Sequence, residues 1–100
     1  VPERIYDNIE TFSLYMATFI QRDELKKFLI NNNIEVKIHY PIPLHLQKAA
    51  LTNCRFNLSN LKNVEYQANS LLTIPVHQYL DHKHMEYILS KIFEFYGKEY

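Results

Sequence analysis

The chain has 100 residues, a length that suits one small domain with a single modest core. Hydrophobic residues make up 47%, which excludes a disordered segment, and eight Tyr and six Phe without Trp point to a core of Phe, Tyr, Leu and Ile. Lys plus Arg and Asp plus Glu balance at 11 each, so there is no general drive toward nucleic acid or an anionic membrane, and no apolar run is long enough to cross a bilayer.

Residues 1–11 are mixed and polar and read as a connector; Val1-Pro2-Glu3-Arg4 reads as an arbitrary cut rather than a native start. Residues 11–20 carry β-branched and aromatic side chains, with Phe12, Leu14 and Met16 on one face at period two, and predict a strand. Gln21-Arg22-Asp23-Glu24 opens a helix with acids in its first turn and with Leu25, Phe28 and Leu29 as its buried face. Asn31-Asn32-Asn33 stops it. Asn tolerates left-handed backbone, so Asn33 is expected at positive φ.

Ile34-Glu35-Val36-Lys37-Ile38 alternates strictly and predicts a half-buried strand with Glu35 and Lys37 as a solvated pair. A dense run follows it: His39-Tyr40-Pro41-Ile42-Pro43-Leu44-His45-Leu46-Gln47. Each proline fixes its own φ and pushes the preceding residue toward extended backbone, so imidazole, phenol and amide groups are held on a stiff turn. A proline-stiffened crossover whose rings fill core space is one reading of this run. A ligand-facing loop at a strand end is the other. Residues 44–51 can form one or two helical turns, 52–63 reads as an irregular polar loop, and 65–71 suits a short helix. Residues 72–76 suit a short strand that Pro75 confines or ends. Asp81 is a good N-cap, and Met85, Ile88, Leu89, Ile92 and Phe95 form the apolar stripe of a last helix ending near Gly97. The order is strand, helix, strand, short helices, strand, helix. That is an α+β two-layer domain, with helices packed on one face of a small, mainly antiparallel sheet.

Several chemistries find little support. His77, His82 and His84 cluster at a helix start, but adjacent rather than helical spacing favours solvated side chains over a zinc site. Cys54 is the single cysteine, so no internal disulfide can form; this favours a reducing, cytoplasmic setting, and without a recognisable base nearby it reads as a spectator thiol. Gly97 is the sole glycine, which rules out a glycine-rich phosphate loop.

The ordered pieces resemble the C-terminal portion of pyridoxal-phosphate-dependent sugar aminotransferases of the DegT/DnrJ/StrS type. Arg22-Asp23-Glu24-Leu25 followed by Phe28-Leu29 is similar to the family's R-D-x-L-x-x-x-L helix. Asn33-Ile34 with His39 through Gln47 is similar to G-I-x-x-x-x-H-Y-P-x-P-L-H-x-Q, the most specific piece. Glu65, Ala68 and Leu72-Thr73-Ile74-Pro75-Val76 resemble E-x-x-A-x-x-x-L-S-L-P, and the likeness spans residues 12–96. Asn33 replaces the usual Gly, the loop before Glu65 lacks its glycine, and Thr73 replaces Ser.

The resemblance implies a domain of a fold-type-I pyridoxal-phosphate aminotransferase, with residues 12–100 as the C-terminal small domain. It implies an enzyme that moves an amino group from an amino acid, usually glutamate, to a keto group on a nucleotide-linked sugar. Such reactions serve surface polysaccharides or natural-product amino sugars. Members are longer, carry a preceding cofactor domain whose lysine forms the Schiff base, and commonly dimerise with the site between subunits. None of this chain's lysines matches that position, so the fragment alone is expected to be inactive and to hold no pyridoxal 5'-phosphate covalently. His39, Tyr40, His45 and Gln47 are expected to line the substrate side, and Arg22 either to face phosphate or to pair with Asp23 or Glu24. The competing readings are a stand-alone interaction module that uses apolar surface otherwise hidden against a cofactor domain, and a small metal-binding protein.

Overall fold

A computed structural model describes residues 6–7, 9, 11–53 and 61–98. The expected cysteine environment at Cys54 and most of the polar loop before α3 lie outside the described residues. Strand β1 (Tyr15–Thr18) pairs antiparallel with β2 (Leu71–Ile74), Tyr15 facing Ile74 and Thr18 facing Leu71. Helices α1 (Arg22–Asn31) and α4 (His82–Phe95) cover one face of this small sheet, a short 3-10 turn (Leu44–Leu46) leads into α2 (Lys48–Asn53), and α3 (Lys62–Ser70) runs directly into β2. The architecture is α+β, as the residue pattern predicts.

The core is Leu25 and Leu29 from α1, Ile34 and Val36 from the segment after it, Leu72 from β2 and Ile88 from α4. Leu25, Leu29 and Leu72 are fully buried, and each such side chain contributes about 1.5–3 kcal/mol of hydrophobic stabilisation. Two tyrosines bolt α4 across α1: Tyr87 Oη donates to the Asn32 carbonyl at 3.1 Å and Tyr96 Oη to the Ile20 carbonyl at 2.6 Å. These contacts join opposite ends of the two helices, which therefore run antiparallel. Burial holds the Tyr96 phenol above its usual value.

The helix ends follow their sequence signals. Asn33 takes φ 59°, and the Ile34 and Asn33 amides donate to the Leu29 and Ile30 carbonyls, the paired pattern that closes a helix through a left-handed residue. Gly97, at φ 63°, ends α4 in the same way through the Lys98 and Gly97 amides. Asp81 caps α4, accepting from the His84 amide at 2.9 Å, while the His84 ring reaches back to the Asp81 amide.

The expected strand over 34–38 is corrected. Its inward-outward alternation is present, but only Lys37 pairs with β2, exchanging both backbone hydrogen bonds with Thr73. The reason is chemical. The next such pair in one direction would need an N–H from Pro75, which has none. The next in the other direction would need the Leu71 N–H, which instead donates to the Gln67 carbonyl at the end of α3. The first strand, expected over 11–20, is Tyr15–Thr18, and just beyond it the Phe19 amide still donates to the Ser70 carbonyl at 2.9 Å. The Phe12, Leu14 and Met16 row is its outer side, each residue being exposed. The third helix begins at Lys62, before the expected Glu65.

Candidate functional site

Arg22 opens α1 from a left-handed Gln21 and is itself buried. Its Nε donates to Asp23 Oδ1 at 2.8 Å, and its Nη1 to the Ala68 and Leu71 carbonyls at 3.0 and 2.9 Å. Of the two expected roles, pairing with Asp23 is the one present. The guanidinium also satisfies carbonyls left over at the C-terminal end of α3, where positive charge is favoured.

The His-Tyr-Pro run leaves the sheet just beyond the Lys37 bridge. His39 is half-buried, and its Nδ1 lies 2.7 Å from the Thr73 hydroxyl. The His39–Tyr40 peptide is cis, and the two rings meet edge to face with centroids 5.4 Å apart. Tyr40 is 73% exposed. Pro43 sits in extended backbone and leads into the 3-10 turn, where the Leu46 amide donates to the Pro43 carbonyl. That turn inverts the usual burial: Leu44 is 78% exposed and His45 is 8% exposed. His45 Nε2 lies 3.2 Å from Glu65 Oε1 on α3. Gln47 is exposed, its carbonyl starts α2 by accepting from the Ala50 and Leu51 amides, and its side-chain amide reaches the Ile42 carbonyl at 3.5 Å.

The four sequence-predicted site residues therefore separate. His39 and Tyr40 are brought together on an outer surface. Gln47 stands at the far end of the loop, and His45 points inward to Glu65. Beside His39 opens a groove of about 500 Å³ between the 34–39 segment, the end of β2 and the start of α4, lined also by Lys37, Thr73, His77, His84 and Tyr87. Thr73 and Glu65 are the contacts that the residue pattern alone did not single out. The spacing of Thr73 and Glu65 from the loop, 34 and 20 residues, hides them. Among the described residues no three His, Cys, Asp or Glu side chains gather as a metal site would need. Among the same residues no helix is long and apolar enough to cross a membrane.

Residues 6–93 match the sequence profile of the DegT/DnrJ/EryC1/StrS aminotransferase family. The chain belongs to this family. It is 30% identical over 95 residues to a protein of Geobacillus stearothermophilus described as a pleiotropic regulatory protein, covering 95% of this chain and 25% of that one. A DegT DnrJ EryC1 StrS aminotransferase from Brucella abortus superposes with a TM-score of 0.85 at 31% identity, over 98% of this chain and 26% of that one. DesV of S. venezuelae, solved in complex with a ketimine intermediate, superposes with a TM-score of 0.73 at 26% identity, over 82% and 22%. This DegT-family chain thus spans about a quarter of the length of these relatives.

DegT-family aminotransferases depend on pyridoxal phosphate. The lysine lining the groove beside His39 is Lys37, which is two-thirds exposed and ion-paired with Glu35 at 2.8 Å. The Glu35 hydrogen bond raises the Lys37 pKa above the usual value, the opposite of what a nucleophilic amine requires. Glycine occurs once, at Gly97 beyond α4, so no glycine-rich turn cradles a phosphate.

Proposed function

We propose that this chain is the C-terminal small domain of a pyridoxal-phosphate-dependent aminotransferase. The enzyme passes an amino group from an amino acid, glutamate in our reading, to the keto carbon of a nucleotide-linked sugar. The products would be amino sugars for surface polysaccharide or a natural product. Family membership supports the reaction class. The cofactor, whose role is to act as an electron sink, is held by a separate domain, and this chain's residues act on the sugar nucleotide. The exposed outer row of Leu14 and Met16 gives that domain an apolar surface to cover. A homodimer with the site between subunits, working in the cytoplasm, completes the reading.

In this reading Tyr40 donates a hydrogen bond to a sugar hydroxyl or the diphosphate. His39, with Nδ1 engaged by Thr73, offers Nε2 to the same ligand, and Gln47 offers its amide at the far end of the loop. His45 supports the loop from within. None of them transfers a proton to the reacting carbon. One observation carries this placement: Tyr40 is 73% exposed on a loop whose two histidines are each held by a side chain of α3 or β2. Such an arrangement holds a polar group ready for a ligand without further ordering.

The test is Tyr40→Phe in the intact aminotransferase. Losing one hydrogen bond of about 1 kcal/mol raises KM for the nucleotide sugar roughly three- to tenfold, with kcat within twofold. Unchanged KM and kcat would remove Tyr40 from the site.

A further inference from the structure

The loop that carries Tyr40 is gripped at two points by one continuous piece of chain. His39 is held by the Thr73 hydroxyl on β2 at 2.7 Å, and His45 by the Glu65 carboxyl on α3 at 3.2 Å. The α3 helix passes into β2 without an intervening loop, Ser70 ending one and Leu71 beginning the other. Arg22 fastens that junction from α1, its Nη1 bonding the Ala68 and Leu71 carbonyls on either side of it. We infer that the α3–β2 unit is a two-point clamp, in which Glu65 and Thr73 are positioning residues that set the pose of Tyr40, with Arg22 fixing the angle between them.

The residues that make the clamp suit that role. Thr73 is 8% exposed, its backbone is pinned by Lys37, and its hydroxyl is fixed against His39. His45 sits in a three-residue turn whose other members are exposed leucines, so apolar burial does not hold this turn inward. The hydrogen-bond contact between His45 Nε2 and Glu65 Oε1 does. If either point is released, the 39–45 segment pivots about the other. The pose of Tyr40 therefore depends on both at once.

This inference rests on the proposed site, and its test has two arms that fail separately. In the 100-residue chain, amide hydrogen exchange at Leu46 and Gln47, whose N–H groups close the 3-10 turn, is expected to accelerate at least tenfold in Glu65→Ala. Exchange at Leu25 and Leu29 in α1 stays unchanged. Glu65→Gln, which keeps an acceptor oxygen, restores the slow exchange. If Glu65→Ala leaves Leu46 and Gln47 protected, the clamp is overturned. In the intact aminotransferase, with a nucleoside-diphosphate keto-hexose as the probe, Glu65→Ala and Thr73→Val are each expected to raise KM about tenfold with kcat nearly unchanged. Thr73→Ser retains the hydroxyl and the wild-type KM. The double variant is expected near tenfold rather than a hundredfold, because one release already loses the pose; independent hundredfold behaviour would overturn the coupling. Faster exchange with an unchanged KM in every variant would keep the clamp and reject the loop as the substrate side. Tyr40→Phe would then be silent as well.

Discussion

Asn33 closes α1 at φ 59° with its side chain in solvent, and Gln21 opens the same helix at φ 53°. Left-handed backbone costs an L-residue about 1–2 kcal/mol unless a short polar side chain relieves it. Asn33→Gly is therefore expected to be neutral or stabilising, and Asn33→Ala to destabilise by about 1 kcal/mol in urea melts. Equal stability of the alanine and glycine variants would contradict the left-handed assignment. The Asn33 conformation is legible from residue type and from the apolar pattern before it. Gln21 carries no such mark; it lies between Ile20, whose carbonyl accepts from Tyr96, and the buried Arg22. The site divides in the same way. Two prolines flanked by polar rings announce a stiff polar turn at Tyr40. The inward orientation of His45 is not announced, because a 3-10 turn spaces side chains about 120° apart and any of its members can face in. Glu65 supplies the deciding partner.

At the scale of elements, α4 is the most self-specified. Asp81 begins it, an apolar stripe runs along it and Gly97 ends it. The His84 backbone N–H, with smaller help from the His84 charge and ring, holds the Asp81 carboxyl below its ordinary value of 3.8. A depressed folded pKa means that the cap's stabilisation is complete above the unfolded value and drains as pH falls through the folded one. The Tm gap between the wild type and Asp81→Ala should therefore be present at neutral pH and shrink below the ordinary carboxylate value. A gap that persists undiminished in strong acid would show that the charge plays no part in the cap. The segment 34–38 teaches the converse. Its alternation correctly predicts Ile34 and Val36 in the core and Glu35 and Lys37 in solvent. Periodicity reports which face is buried, however, and a strand also needs partner N–H and C=O groups in register. Pro75 and the end of α3 remove them.

For the whole molecule, stability concentrates where α1, α4 and β2 meet. Leu72 is fully buried at that junction with Leu25 and Leu29. Leu72→Ala leaves a cavity in a small core and is expected to cost about 2–5 kcal/mol in chemical denaturation, a large share of what so short a chain can hold. A loss below that range would mean that the core collapses around the gap. The opposite face of the sheet behaves differently, since Leu14 and Met16 remain exposed there. Apolar alternation in 11–18 was legible, but which side of the strand the helices would cover was not. Two faces of one strand can be similarly apolar, and only the docking of α1 and α4 chooses between them.

By itself the sequence determined the α+β class, the helix ends at Asn33, Asp81 and Gly97, the proline-bound polar loop and the aminotransferase family, because each is written in local residue chemistry or in the order of motifs. The tertiary structure alone decided that His45 turns inward, that Thr73 and Glu65 grip the loop, that Arg22 joins α1 to α3, and that 34–38 pairs through a single residue. Those outcomes depend on groups tens of residues apart meeting in space, and short-range preference carries no record of such meetings.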